Sequence, residues 1–190
     1  PLLGAFRRDH PQVGLVARES RTSQLVKEVV AGELEFAIVS DVASPLLKKY
    51  SLYLTRLFEE ELLVAAPNAH PLCGQDAIKP GALDESELIL LSEGNCLRDQ
   101  TVQLCDQAGR ASALVCEQLP TQLSMVGAGL GIAVVPEMAI RSNTAANLSF
   151  LRFASPIPKR VIGLLKKRGG RLSLAADEFV KRLKRDFERA

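Results

Sequence analysis

The chain has 190 residues, 47% of them hydrophobic, with 24 basic residues against 22 acidic ones and a formal net charge of +2. That is enough apolar content for one domain or two small lobes, and too little positive charge for the chain itself to bind nucleic acid. No apolar run approaches the roughly 20 residues of a membrane span. Four cysteines without a secretory leader favour a reducing, cytoplasmic compartment, and with no CxxC, HExxH or Cys/His cluster a metal site is not expected.

Helical and strand periodicities then alternate along the chain. Residues 1–11 read as the tail of a helix stopped by Pro11, on a chain that looks like part of something longer. VGLVARE (13–19) reads as a strand. Residues 20–33 read as a helix with Leu25, Val26, Val29 and Val30 on one face and Gly32 as its stop, with Ser20 or Thr22 as the N-cap. FAIVS (36–40) is a short apolar strand, and LYLTRLFEEELLVAAP (52–67) a long one. A loop with a short helix fills 68–86, and ELILLS (87–92) is a buried strand. Cys96 to Ala108 read as a helix with Gly109 after it. Strands at 113–118, 132–136, 148–153 and 160–167 are separated by a helix at 120–131 and a helical turn at 137–142. The last helix, 172–190, carries Leu174, Phe179, Val180, Leu183 and Phe187 on one stripe.

This alternation predicts an α/β fold with parallel sheets. Ligands in such folds sit at the C-terminal ends of strands beside helix N-termini, so the junctions 19–23, 92–97 and 117–121 are the places to look.

Three segments carry a family resemblance. GELEFAIVS (32–40), LFEEELLVAAPNAHPL (57–72) and LPTQLSMVGAGLGIAVVPEMAI (119–140) resemble stretches of the regulatory domain of LysR-type transcription regulators, over essentially the whole chain. The resemblance implies two Rossmann-like lobes of periplasmic-binding-protein type II architecture. Lobe I would be 1–62 plus 162–190 and lobe II 63–161. The family's winged helix-turn-helix is not in this chain. It implies a regulator rather than an enzyme, a homodimer or homotetramer, DNA contact only through that other domain, RNA polymerase as a further partner, and no cofactor.

Within the family, EGNCLRDQTVQLC (93–105) resembles the OxyR-type peroxide sensors. Gly94, Cys96, Leu97, Arg98, Asp99, Gln100 and Cys105 fit that pattern, and Asn95 stands where the subgroup has His. The resemblance makes hydrogen peroxide the effector, Cys96 the peroxidatic thiol and Cys105 the resolving one. Ser20, Thr22, Gly94, Asn95, Arg98, Asp99, Gln118 and Arg160 would line the peroxide or effector site. The chemistry suits the placement: a thiol reacts as the thiolate, and a helix N-terminus beside Arg98 favours an anion. Nine helical residues cover about 13.5 Å and about 900°, which puts Cys96 and Cys105 on opposite faces, while a disulfide needs Cα atoms within about 7 Å. The two can bond only if the helix unwinds.

A second reading keeps the family and makes the cysteines incidental core residues. The chain would then bind a carboxylate-like inducer near Ser20, Thr22, Asn95 and Gln118.

Overall fold

The structure, a computed structural model, describes residues 2–40, 42, 44–105 and 114–188. The helices are α1 (Leu2–Asp9), α2 (Thr22–Ala31), α3 (Ser44–Lys49), α4 (Cys96–Leu104), α5 (Leu119–Gly127), α6 (Met138–Ser142) and α7 (Leu174–Glu188). The strands are β1 (Ala37–Ser40), β2 (Leu52–Pro67), β3 (Ile89–Leu91), β4 (Leu114–Cys116), β5 (Ala133–Pro136), β6 (Leu148–Arg152) and β7 (Lys159–Lys167). The chain divides into two compact units: one runs to Phe58 and resumes at Val161, the other is Glu59–Arg160.

In the first unit β1 is antiparallel to β7, with Ala37 opposite Leu165 and Ser40 opposite Ile162, and β7 lies between β1 and β2. Gly163 permits that close approach, because a Cβ there would stand 2.8 Å from Leu54 Cδ1. α2 lays Val26 and Val29 on Val39, Leu52 and Leu165. Its apolar residues fall at 3.6-residue spacing, and Gly32, at φ 81°, ends it by donating its N–H to Glu28 O and Val29 O. On the other side Phe6 of α1 meets Phe179 of α7 edge-on, with ring centroids 5.2 Å apart. Val180 and Leu183 are buried on the α7 stripe. Leu174, expected on that stripe, opens the helix 93% exposed. The Phe187 side chain lies outside the described residues.

Two expectations change here, and one helix appears that the sequence reading did not name. Residues 13–19 are irregular rather than a strand. Residues 13–18 line a cavity of about 560 Å³ whose other walls include Leu3, Phe6, Ile38 and Phe179, and among the described residues the segment joins no strand despite its strand composition. The capping residue of α2 is Arg21, which makes no side-chain cap bond; Thr22 is the first helical residue, and Ser20 lies exposed before it. α3 forms over SPLLKK, where Pro45 suits a first turn.

The second unit is built on the apolar half of β2. β5 pairs with it antiparallel (Leu62 opposite Pro136, Ala65 opposite Ala133), and so does β6 (Leu63 opposite Arg152, Pro67 opposite Leu148). Sheets of the expected parallel kind occur only in part: β3 and β4 are parallel, and a parallel bridge joins Leu88 to Ile132 at the entry to β5. Strand periodicity reports which residues face a core but not the direction of the neighbour. LLVAA in β2 is apolar throughout because both faces are covered. Leu62, Val64 and Ala66 enter one core with Leu88, Leu90, Leu97 and Val134. Leu63 and Ala65 enter another with Ile89, Leu123, Val126 and Val135. Gly131 sets the β3–β5 spacing: a Cβ there would stand 2.2 Å from Glu87 O, the atom that accepts Ile132 N–H at 2.9 Å.

No helix among the described residues is long and apolar enough to cross a membrane.

Candidate functional site

β3 ends at Leu91, and a turn at 92–95 leads into α4. The Asn95 N–H donates to Ser92 O at 3.3 Å and closes the turn. Gly94 sits at φ 83°, a left-handed conformation that glycine adopts without steric cost. Asn95 is the N-cap of α4: its Oδ1 accepts the Leu97 N–H at 3.0 Å, and its carbonyl accepts the N–H groups of Arg98 (3.0 Å) and Asp99 (3.3 Å). Asn95 thus has a structural task that any short oxygen-bearing side chain performs.

Cys96 is the first helical residue, half-buried, at the positive end of the helix dipole. Arg98 donates from Nη1 to Leu91 O at 3.1 Å, which holds its guanidinium at the strand end from which Cys96 emerges. Asp99 is exposed on the first turn. Leu97 and Thr101, both 3% exposed, fasten the helix to the core, and Thr101 Oγ1 donates to Leu97 O at 2.8 Å.

α4 ends at Leu104 rather than at residue 108. Cys105 caps it with extended backbone (φ −116°, ψ 108°), and its N–H still donates to Thr101 O. The rest of the expected helix and its Gly109 stop lie outside the described residues. Cys105 is 3% exposed, in the same core as Leu62, Leu90 and Leu97. Eight rises separate Cys96 from Leu104, about 12 Å along the axis. No disulfide joins any of the four cysteines.

The other expected site residues are divided between the two units. Ser20 and Thr22 belong to the first unit. In the second, Gln118 is the exposed N-cap residue of α5 and makes no side-chain cap bond. Arg160 is engaged by Glu60: Nε donates to Oε1 at 2.8 Å and Nη2 lies 2.7 Å from the same oxygen, both side chains nearly buried. Glu60 Oε2 also accepts the Met138 N–H at 3.0 Å.

Sequence reasoning passed over two residues beside the turn. Ser92 donates its N–H to Cys116 O at 2.8 Å and its hydroxyl to Glu117 Oε2 at 2.9 Å. Burial pushes the Cys116 thiol above the usual cysteine range; a backbone hydrogen bond with Gln118 opposes this and the Glu117 charge adds to it. The available signal was topological: parallel neighbours end on one edge, so residues at the ends of β3 and β4 meet. Among the described residues no group of three or more His, Cys, Asp or Glu side chains could hold a metal ion.

These features have counterparts in known proteins. The LysR substrate binding domain matches residues 1–188. A "Probable hydrogen peroxide-inducible genes activator" of Streptomyces viridosporus is 32% identical over 180 residues, 92% of this chain and 56% of that protein. The "DNA-binding transcriptional dual regulator OxyR" of Escherichia coli K12 is 27% identical over 175 residues, 90% of this chain and 56% of that protein. The chain therefore spans about half the length of these relatives. Among solved structures, the reduced OxyR regulatory domain of Pseudomonas aeruginosa superposes with TM-score 0.82 at 25% identity, covering 100% of this chain and 89% of that one. A reduced OxyR of N. meningitidis gives TM-score 0.80 at 27% identity, covering 98% and 87%. The mixed α/β fold of type II periplasmic-binding-protein kind is the one the resemblance implied. By a match that runs through both units and the Cys96 turn, the chain belongs to the LysR substrate binding domain family.

Proposed function

We propose that this chain is the regulatory part of a transcription regulator that senses hydrogen peroxide through Cys96 and Cys105, its two units serving as lobes I and II. The observation that carries the reading is the placement of Cys96: first residue of α4, half-buried, with Arg98 of the same first turn held to Leu91 O and Cys105 sealed in the core past the far end of the same helix. The names and structures of the relatives support it.

The Cys96 thiolate attacks a peroxide oxygen and the O–O bond breaks. Hydroxide leaves and is protonated to water, and Cys96 becomes the sulfenic acid. The Cys105 thiolate then attacks the Cys96 sulfur. Hydroxide departs, the proton from Cys105 makes it water, and the disulfide forms. Because the helix keeps the two sulfurs apart, this step requires α4 to unwind and Cys105 to leave its core position, so redox state is converted into packing. In a cytoplasmic homodimer or homotetramer, that repacking would change the spacing of attached DNA-binding domains.

One equivalent of hydrogen peroxide, thiol counting and disulfide mapping test the reading. The reduced chain should lose two thiols to a Cys96–Cys105 bridge, and Cys96→Ser should lose none rapidly. Four intact thiols would overturn it and leave the effector-binding reading near Thr22.

A further inference from the structure

Cys105 is not the thiol that the fold brings to the Cys96 end of the unit. β3 and β4 are parallel neighbours with Leu91 opposite Cys116, so both strands end on one edge. Their Cα atoms lie about 4.8 Å apart across such a pair. Ser92 then binds the Cys116 carbonyl directly, and the turn it begins brings its ends within about 7 Å before Cys96 follows. A connection between parallel neighbours must return to the opposite end of the strands, and α4 makes that return. The consequence is a division of the three thiols. Cys96 and Cys116 share the C-terminal edge, and Cys105 lies beyond the helix, 3% exposed. Cys116 is half-buried, its Sγ 3.9 Å from Leu90 O and 3.8 Å from Gln118 O.

We propose that Cys116 is a second resolving thiol for Cys96, closing a Cys96–Cys116 disulfide that leaves α4 wound. The inference rests on the peroxide-sensing reading of Cys96. The first step is the oxidation by hydrogen peroxide described above. The Cys116 thiolate then attacks the sulfur of the sulfenic acid, the S–O bond breaks, and the departing hydroxide takes the proton that Cys116 released. Glu93 and Gly94 of the turn are exposed, so that Cys96 would move without unpacking Leu97 or Cys105. Such a bridge would hold Cys96 short of the irreversible sulfinic acid without the repacking that the Cys105 bridge demands. Burial keeps Cys116 largely in the thiol form, so it does not compete with Cys96 for peroxide.

The deciding experiment uses the 190-residue chain carrying Cys105→Ser, treated with one equivalent of hydrogen peroxide in the presence and absence of dimedone. Expected are loss of two thiols, a peptide pair joining Cys96 to Cys116, and retained hydrogen-exchange protection across 97–104. Bridging should quicken by about tenfold per pH unit below the Cys116 pKa as the thiolate fraction rises. In Cys105→Ser/Cys116→Ser the dimedone adduct at Cys96 should persist. A persistent adduct in Cys105→Ser, with Cys116 still open to alkylation, would overturn the proposal, as would a bridge to Cys73. A Cys96 that takes up neither oxidant nor dimedone would remove the peroxide-sensing reading as well.

Discussion

The two units differ in charge and in chemistry. The first carries 17 basic and 10 acidic residues, the second 7 basic and 12 acidic, so net charges of +7 and −5 lie behind an overall value of only +2. All four cysteines are in the acidic unit. A negative field lowers the local concentration of anions and leaves neutral molecules unaffected. The thiol-bearing unit is therefore better suited to a neutral oxidant such as hydrogen peroxide than to an anionic one, or to a carboxylate inducer. Packing differs as well. The first unit holds a cavity of about 560 Å³ beside an irregular segment. The second covers both faces of β2 and holds a nearly buried ion pair, Glu60–Arg160, at the ends of its own span.

The sharpest way to break that contrast is to remove Arg160. Arg160→Ala leaves Glu60, itself 7% exposed, as a charge out of water held by the Met138 N–H. Breaking a buried pair from one side costs about 3–5 kcal/mol. Urea unfolding followed by exchange protection at β2 and β5 should show the loss in the second unit. A change below about 1 kcal/mol would mean that water screens the pair.

Leu97→Ala tests the link between packing and redox chemistry. Leu97 is 3% exposed against Leu62, Leu90 and Cys105, and truncation at such a site costs about 2–5 kcal/mol. The lost packing belongs to the helix that must unwind for Cys96 to reach Cys105. The variant should therefore be less stable and yet form that bridge faster. Slower bridging would mean that unwinding does not limit the reaction.

How legible the molecule was in its sequence follows from the range of the forces involved. The Gly94–Asn95–Cys96 helix start is local, since a turn residue, a cap and a first-turn thiol are adjacent, and the structure places a helix N-terminus there. The ends of β2 and the Gly32 stop were equally local. Residues 13–19 have strand composition, but a strand is completed by its partner, and among the described residues they pair with no strand. The antiparallel pairing of β2, the engagement of Arg160 by Glu60 100 positions earlier, and the nearness of Cys116 to Ser92 all arise in tertiary structure. The helix expected to reach residue 108 ends at Leu104 because Cys105 turns extended as it enters the core, a preference that helical periodicity does not encode.

The smallest effect should come from the basic unit, where the tie between α1 and α7 is exposed. Arg182 donates to Asp9, and that hydrogen bond, with the guanidinium charge, holds the Asp9 carboxyl below the usual aspartate range. A carboxylate with a lowered folded pKa stabilises the fold above its unfolded pKa, and the contribution disappears as pH falls through the folded value. Asp9→Asn should therefore lower the thermal midpoint slightly at neutral pH, and the gap from the parent should close on acidification below the ordinary aspartate range. Because the pair faces solvent, salt should shrink the gap at neutral pH too. The Arg160→Ala deficit in the second unit should persist in the same salt, since a nearly buried pair is far less screened. Equal salt sensitivity of the two would erase the distinction between a unit tied at its surface and one tied in its interior.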